Sequence, residues 1–429
     1  MKLSSFIFQF STLRSPFLRE LHRMTSRPIY LVSTVVLPLF LLLFMTTIFG
    51  SGQMVGLPVG VVDADNTATS RSVVRSISAV PKLDVVARYA DDAEAREAIR
   101  RKEVYGYLSI PPRFEESVMR GDGATLCYYY HYALLAVGGE VMSAFETALI
   151  PVRMAPIVSE AIMLGDTEEN IETFLLPMTA DDHALYNPSL DYAEYLAVPI
   201  FYIMFQILVL LVTLYAVGSE RREAGATSLR SKGVKELTLA PTGVELRFRS
   251  EDNSLYAVRS SFTLKFIGGK LLPYTLIFVA EAMLANVVFF HWEHIPMEGD
   301  MGLFALTTVL FIIATQSVAV ILYALFPMLS LVISVVSMVG SLGATLSGLT
   351  FPLSAMSPVV QYAAKLFPVR HFTEAMQCMV YFGGGFSACW PQLAVLCVFP
   401  LVMVALLYFK NTADNDNDNE NENHHPDGL

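Results

Sequence analysis

Charge is scarce in this 429-residue chain: 16% of positions are Asp, Glu, Lys or Arg, against about 25% in soluble domains. Cysteine is scarcer. Cys127, Cys378, Cys389 and Cys397 form neither a disulfide framework nor the CxxC spacing of a thiolate metal site. Cys378 and Cys389 could pair if both face an oxidising compartment, while plain buried thiols are the simpler reading. No GxxxxGK[ST] phosphate loop is present, because Gly268-Gly269-Lys270 is followed by Leu271; the chain is not expected to hydrolyse ATP itself. HExxH is absent, and His291-Trp292-Glu293-His294 lacks a third ligand. Gly383 to Gly385 lack the strand-then-helix context of a dinucleotide fingerprint and read as a flexible turn. Basic residues number 29 against 40 acidic, a net charge of -11, which excludes nucleic acid as the main partner, since binding phosphates needs a basic surface.

Apolar length is what the chain has in excess, with 54% hydrophobic residues. The run 28–50 follows Arg14, Arg19, Arg23 and Arg27 and, at about 1.5 Å per residue, is long enough for a transmembrane helix with its N-terminus in the cytoplasm. A second run at 193–217 ends at Glu220, Arg221 and Arg222. The stretch 218–264, with Arg230, Arg247, Arg249 and Arg259, reads as cytoplasmic. Within 265–409 further runs at about 266–290, 301–326, 328–349 and 392–409 complete six transmembrane helices, with Pro327 breaking the fourth from the fifth. Residues 351–388 are apolar but punctuated by Pro352, Pro358, Pro368, Arg370, His371 and Glu374. They are expected to form a short helix pair at the outer leaflet, because charge facing lipid is costly. The tail 410–429 has nothing apolar to bury and is expected to be disordered, with His424 and His425 solvated.

Before the first span, Ser15-Pro16 reads as a helix start. Phe17, Leu21 and Met24 then share one side and Arg19, His22 and Arg23 the other, an amphipathic segment suited to the membrane surface. Residues 51–192 differ in composition: strand-like LPVGVVDAD, LDVVARY, VYGYLSIPP and ATLCYYY alternate with helical stretches. This predicts a mixed α/β extracytoplasmic domain with a largely parallel sheet, returning to the bilayer by a longer helix over 134–164. Asp63 and Asp65 fit a turn better than a cation site. Glu281 falls near the middle of the third span, where an ionised carboxylate cannot face lipid; it packs between helices as a neutral acid, or lines a path or subunit interface.

Three separated stretches resemble the membrane subunit of type-2 ABC exporters, in the branch with a long insert after the first span. They are Gly218 to Thr227 (GSERREAGAT), similar to the family's E-(K/R)-E-x-G-T segment; Gly269-Lys270-Leu271-Leu272-Pro273-Tyr274; and LSGLTFP at 346–352 with FPVRHFTEA at 367–375. The resemblance implies a permease with no catalytic residues and no cofactor of its own, with ATP and Mg in a separate ABC ATPase subunit. It also implies a second permease chain, identical or related, and a multi-pass place in the bacterial inner membrane. Glu220, Arg221, Arg222, Glu223, Gly225 and Thr227 would then form a short ATPase-coupling helix, with Gly225 allowing it to end. Residues 231–263 depart from the pattern as a longer polar insertion that alternates like a two-stranded hairpin. The rival reading is a non-transporting scaffold or signalling protein whose extracytoplasmic domain binds a partner.

Overall fold

The computed structural model describes residues 17–50, 52, 54–120, 123–163, 187, 191–231, 237–239, 246–249, 255–257, 264–326 and 328–423. Ser15-Pro16 and the His424-His425 pair lie outside them. Two compact units result: Ser51–Tyr192, and Met1–Gly50 together with Ala193–Leu429.

The Ser51–Tyr192 unit is built on a four-stranded sheet of order β2-β1-β3-β4, with β1 Leu57–Asp63, β2 Leu83–Tyr89, β3 Gly106–Ile110 and β4 Cys127–Tyr130. β1 runs parallel to β2 and β3, and β4 closes one edge antiparallel to β3. Because β1 is covered on both faces, it reads as a nearly unbroken apolar strand. Val59 and Val61 face a core with Val73, Ile77, Leu108 and Phe145. On the other face Val62 and Tyr107 pack with Ala95, and Gly60 leaves room for the Tyr89 ring, which a Cβ there would overlap. The helices start where the sequence supplies caps. Thr67 and Ser70 form a capping box for Ala68–Ser78, and the Asp91 carboxylate accepts the Glu94 N–H to open Asp92–Arg100. Asp63 and Asp65 serve the intervening turn: Asp63 Oδ1 accepts the N–H groups of Asp65 and Asn66, and Asp65 accepts those of Phe114 and Glu115. The entry and exit of the domain meet, the Tyr192 N–H donating to the Gly52 carbonyl at 2.8 Å.

Among the described residues six helices are long and apolar enough to cross a membrane: Pro28–Phe49, Leu135–Ala155, Ala193–Gly218, Ile267–Trp292, Met301–Leu325 and Phe386–Lys410. Five of them are the expected first to fourth and sixth spans. Leu135–Ala155 belongs to the α/β unit, where Val141, Ala144, Phe145, Ala148 and Leu149 lie in the core beneath it. The expected fifth span is shorter than foreseen, Leu329–Leu346, with an apolar stretch Ser330–Leu346. At about 1.5 Å per residue that stretch reaches about 26 Å, at the lower end of what crosses a bilayer. The membrane part is therefore those five helices and this shorter one.

Other boundaries also shift. The second span helix continues as Val198–Ser231 through Gly225 rather than ending there, because one internal Gly costs only about 1 kcal/mol against Ala. The last helix runs on in backbone to Asn423 instead of stopping near Phe409, as an already nucleated helix extends at one hydrogen bond per residue. The insertion holds three strands, not two: Leu237–Leu239, Leu246–Arg249 and Leu255–Ala257 pair antiparallel in that order, the SEDNS stretch lying between the second and third.

Candidate functional site

Residues 17–26 form the expected helix; Arg19 and His22 are exposed and Met24 is buried as the amphipathic pattern places them, while Arg23 and Leu21 depart from it. Glu20, Arg23 and Met24 are buried, Phe17 is half-buried, and Arg19, Leu18 and Leu21 are exposed, the two leucines at 49% and 41%. The reason is a charged cluster that apolar periodicity does not reveal. Glu20 Oε1 lies 2.5 Å from Arg23 Nη1 and 3.2 Å from Lys270 Nζ, while Oε2 accepts the Tyr274 hydroxyl at 3.1 Å. Removing an acid and a base from water together is tolerable only when geometry and further hydrogen bonds offset desolvation, as here. Tyr30 of the first span stacks near Tyr274 and near Tyr215 of the second, at 6.4 and 5.3 Å between centroids. The surface helix and the first three spans thus meet at one polar junction.

Glu220, Arg221, Arg222, Glu223, Gly225 and Thr227 continue the second span without a break, in the final turns of Val198–Ser231. Any movement of that segment is carried on the same rod as Tyr202 and Phe205, which are buried in the aromatic core of the bundle.

The two halves of the third family-like stretch are brought into contact beyond the fifth helix. Gly348, at φ +84, leaves room for the Arg370 guanidinium, which a Cβ there would crowd at 2.8 Å. Arg370 donates to the Ser347 carbonyl at 3.0 Å and pairs with Glu374 at 2.9 Å, placing a cation at the C-terminal end of Leu329–Leu346, where the helix dipole favours it. Pro352 is exposed, whereas Pro368 is buried at the start of Pro368–Val380. That helix does not lie on a surface: Phe372 stacks on Phe311 at 4.3 Å and meets Tyr202 at 4.7 Å. Its apolar face is packed into the bundle, and the charges of Arg370 and Glu374 answer each other beside it.

Proline shapes the second span as well. Residues Ala193–Ala197 form a π-turn just before Pro199, whose ring cannot donate and clashes with the carbonyl four residues back. The Tyr381 hydroxyl donates to the freed carbonyls of Glu194 and Tyr195, at 2.8 and 3.3 Å. Sequence reading missed Glu20, Tyr381 and Asn286; the Val198-Pro199 pair inside an apolar run was the available signal for Tyr381's role. Glu281 is buried in the third span. All four cysteines are free thiols, so Cys378 and Cys389 are not joined. Among the described residues no cluster of His, Cys, Asp or Glu could hold a metal ion.

Long apolar helices, buried charge pairs and a separately folded α/β insert define a polytopic α-helical membrane protein. Residues 28–240 and 258–409 match the model of the ABC-2 family transporter protein, and the chain belongs to that family. A stretch of 123 residues, 28% of this chain, is 31% identical to the inner membrane transport permease YhhJ of Escherichia coli strain K12, and equally to that of Shigella flexneri. The match spans 32% of the length of each. A crystallised domain assigned to an ABC type-2 transporter of Thermotoga maritima MSB8 aligns over 28% of this chain and 81% of its own, at 18% identity and a TM-score of 0.20; the likeness is too loose to bear on the fold.

Proposed function

We propose that this chain is the permease subunit of an ATP-driven exporter of the bacterial inner membrane, pairing with a second permease chain and driven by a separate ATPase subunit that holds ATP and Mg. The observation that carries this reading is the family match over 28–240 and 258–409. It is supported by the uninterrupted helix that joins the second span to Glu220, Arg221, Arg222, Glu223, Gly225 and Thr227. In this reading Ser51–Tyr192 lies outside the membrane and the coupling segment inside. Closure of the ATPases pushes on the end of Val198–Ser231, and rigid-body movement passes up the second span. The surface helix 17–26 follows the third span, because Glu20 joins it to Lys270 and Tyr274.

Reversing both Glu220 and Glu223 to Lys is expected to weaken co-purification of the ATPase subunit, or to uncouple its hydrolysis from transport. Retention of both at parental level would reject the coupling role.

A further inference from the structure

Glu281 stands near the middle of the third span helix, Ile267–Trp292. It is 8% exposed, and neither carboxyl oxygen has a hydrogen-bond partner. Helix 17–26, with Arg19, Glu20, His22 and Arg23, meets this one at its Lys270–Tyr274 end, and the long apolar helices packed on it are Pro28–Phe49, Ala193–Gly218, Met301–Leu325 and Phe386–Lys410. The only charged side chains on those four long helices sit at the ends, Glu194 and Lys410, and the latter donates to the Ala324 carbonyl at 2.6 Å. Their other titratable groups are Tyr30, Tyr195, Tyr202, Tyr215, Tyr323, Tyr408, Cys389 and Cys397; on its own helix stand Lys270, Tyr274 and His291. Lys270 and Tyr274 are engaged by Glu20, and Tyr202 donates to Asn286 Oδ1 and to the Ala282 carbonyl. Among the described residues, then, no cation makes a hydrogen bond or ion pair with Glu281. An ionised carboxylate in such a place lacks both water and counter-ion, a state far costlier than the neutral acid.

Other polar groups on this helix and on Met301–Leu325 are also unsatisfied. Along the third and fourth spans Asn286 Nδ2, Thr315 Oγ1 and Gln316 Nε2 are also buried without partners, and Thr275 donates to Gln316 Oε1 at 2.7 Å, tying the two helices together. A purely structural buried acid is normally hydrogen-bonded; this one is not, and it stands on a pair of packed helices that carries further unused donors and acceptors.

We propose that Glu281 is a proton-binding site of the permease, protonated where the third span is packed as it is here. When the third and fourth spans separate and water enters between them, the carboxyl O–H bond breaks and its proton passes to water. On closure the carboxylate takes a proton back from water. Use of this exchange in a transport cycle rests on the permease reading; the protonation itself does not, and is measured on the chain alone.

Infrared difference spectroscopy of the purified full chain in phosphatidylethanolamine–phosphatidylglycerol nanodiscs tests it. At neutral pH the parent is expected to show the carbonyl stretch of a neutral carboxylic acid, which Glu281→Gln lacks and which fades from the parent as pH is raised. Should Glu281→Gln fail to accumulate, Glu281→Asp provides the assignment by shifting the band. Carboxylate bands at neutral pH, or a neutral-acid band that no pH removes, would overturn the proposal. If an ATPase partner is found, its stimulated hydrolysis is expected to lose part of its pH dependence in Glu281→Gln; absence of such a partner would count against the permease reading and leave the infrared result standing.

Discussion

At the scale of single residues, Glu20 carries the largest consequence, because one buried carboxylate accepts from Arg23, Lys270 and Tyr274 at once. Removing one partner of a buried charge pair typically costs about 3–5 kcal/mol, whereas exchanging both for apolar groups of similar volume is far milder. Glu20→Leu is therefore expected to lower the thermal midpoint of the detergent-purified chain more than Lys270→Met, which leaves Arg23 as a partner. The double replacement should be less damaging than the two losses added, and a double-mutant cycle measures the difference. The sequence placed Arg23 on a polar face with Arg19 and His22, and nothing in the pattern marks it as the one of the three that is buried. A charged residue looks the same in an amphipathic pattern whether water or a distant Lys satisfies it.

Among the elements, the second span shows how a proline is accommodated. Pro199 leaves the Glu194 and Tyr195 carbonyls to Tyr381, which arrives from the end of Pro368–Val380. Tyr381→Phe is expected to lower stability by about 1 kcal/mol, the typical net worth of such a hydrogen bond. In a Pro199→Ala background, where the backbone can complete its own ladder, the same change should cost less; thermal unfolding of the four proteins decides it. The spans were legible because apolar length is a property of a contiguous stretch, and the strands of the insert because caps and turns such as Thr67 and Asp91 are local. Pro368–Val380 was harder to place. Its Arg370 and Glu374 looked exposed to lipid or water until Gly348 and the Ser347 carbonyl, more than twenty residues earlier, supplied their surroundings. Leu135–Met163 poses the converse difficulty: an apolar helix reads alike whether lipid or a sheet covers it.

For the molecule as a whole, the closed ends of Ser51–Tyr192 and its own core predict that residues 51–192 fold when expressed alone. Asp65 then gives that domain a defined acid response. Burial pushes its carboxyl up, but the Thr67 hydroxyl and the N–H groups of Glu115, Phe114 and Arg113 outweigh this and hold it below the usual carboxylate range. Its contribution is thus present above an unfolded value of about 3.9 and is lost as pH falls through the lower folded value. Asp65→Asn is expected to be less stable than the parent at neutral pH, with the gap closing below about pH 4 as the parent loses the same interaction. Chemical unfolding followed by circular dichroism at several pH values checks both statements.

The junction at Glu20 also sets a timetable for biogenesis. Its hydroxyl partner Tyr274 follows 254 residues later in the chain, so at about 5–20 residues per second the ribosome needs roughly 13–50 s to deliver it. Throughout that interval the first helix sits at the bilayer with its acid unmet by the third span, open to insertase, chaperone or protease. A nascent chain stalled before Lys270 therefore leaves this carboxylate with Arg23 and without either partner from the third span.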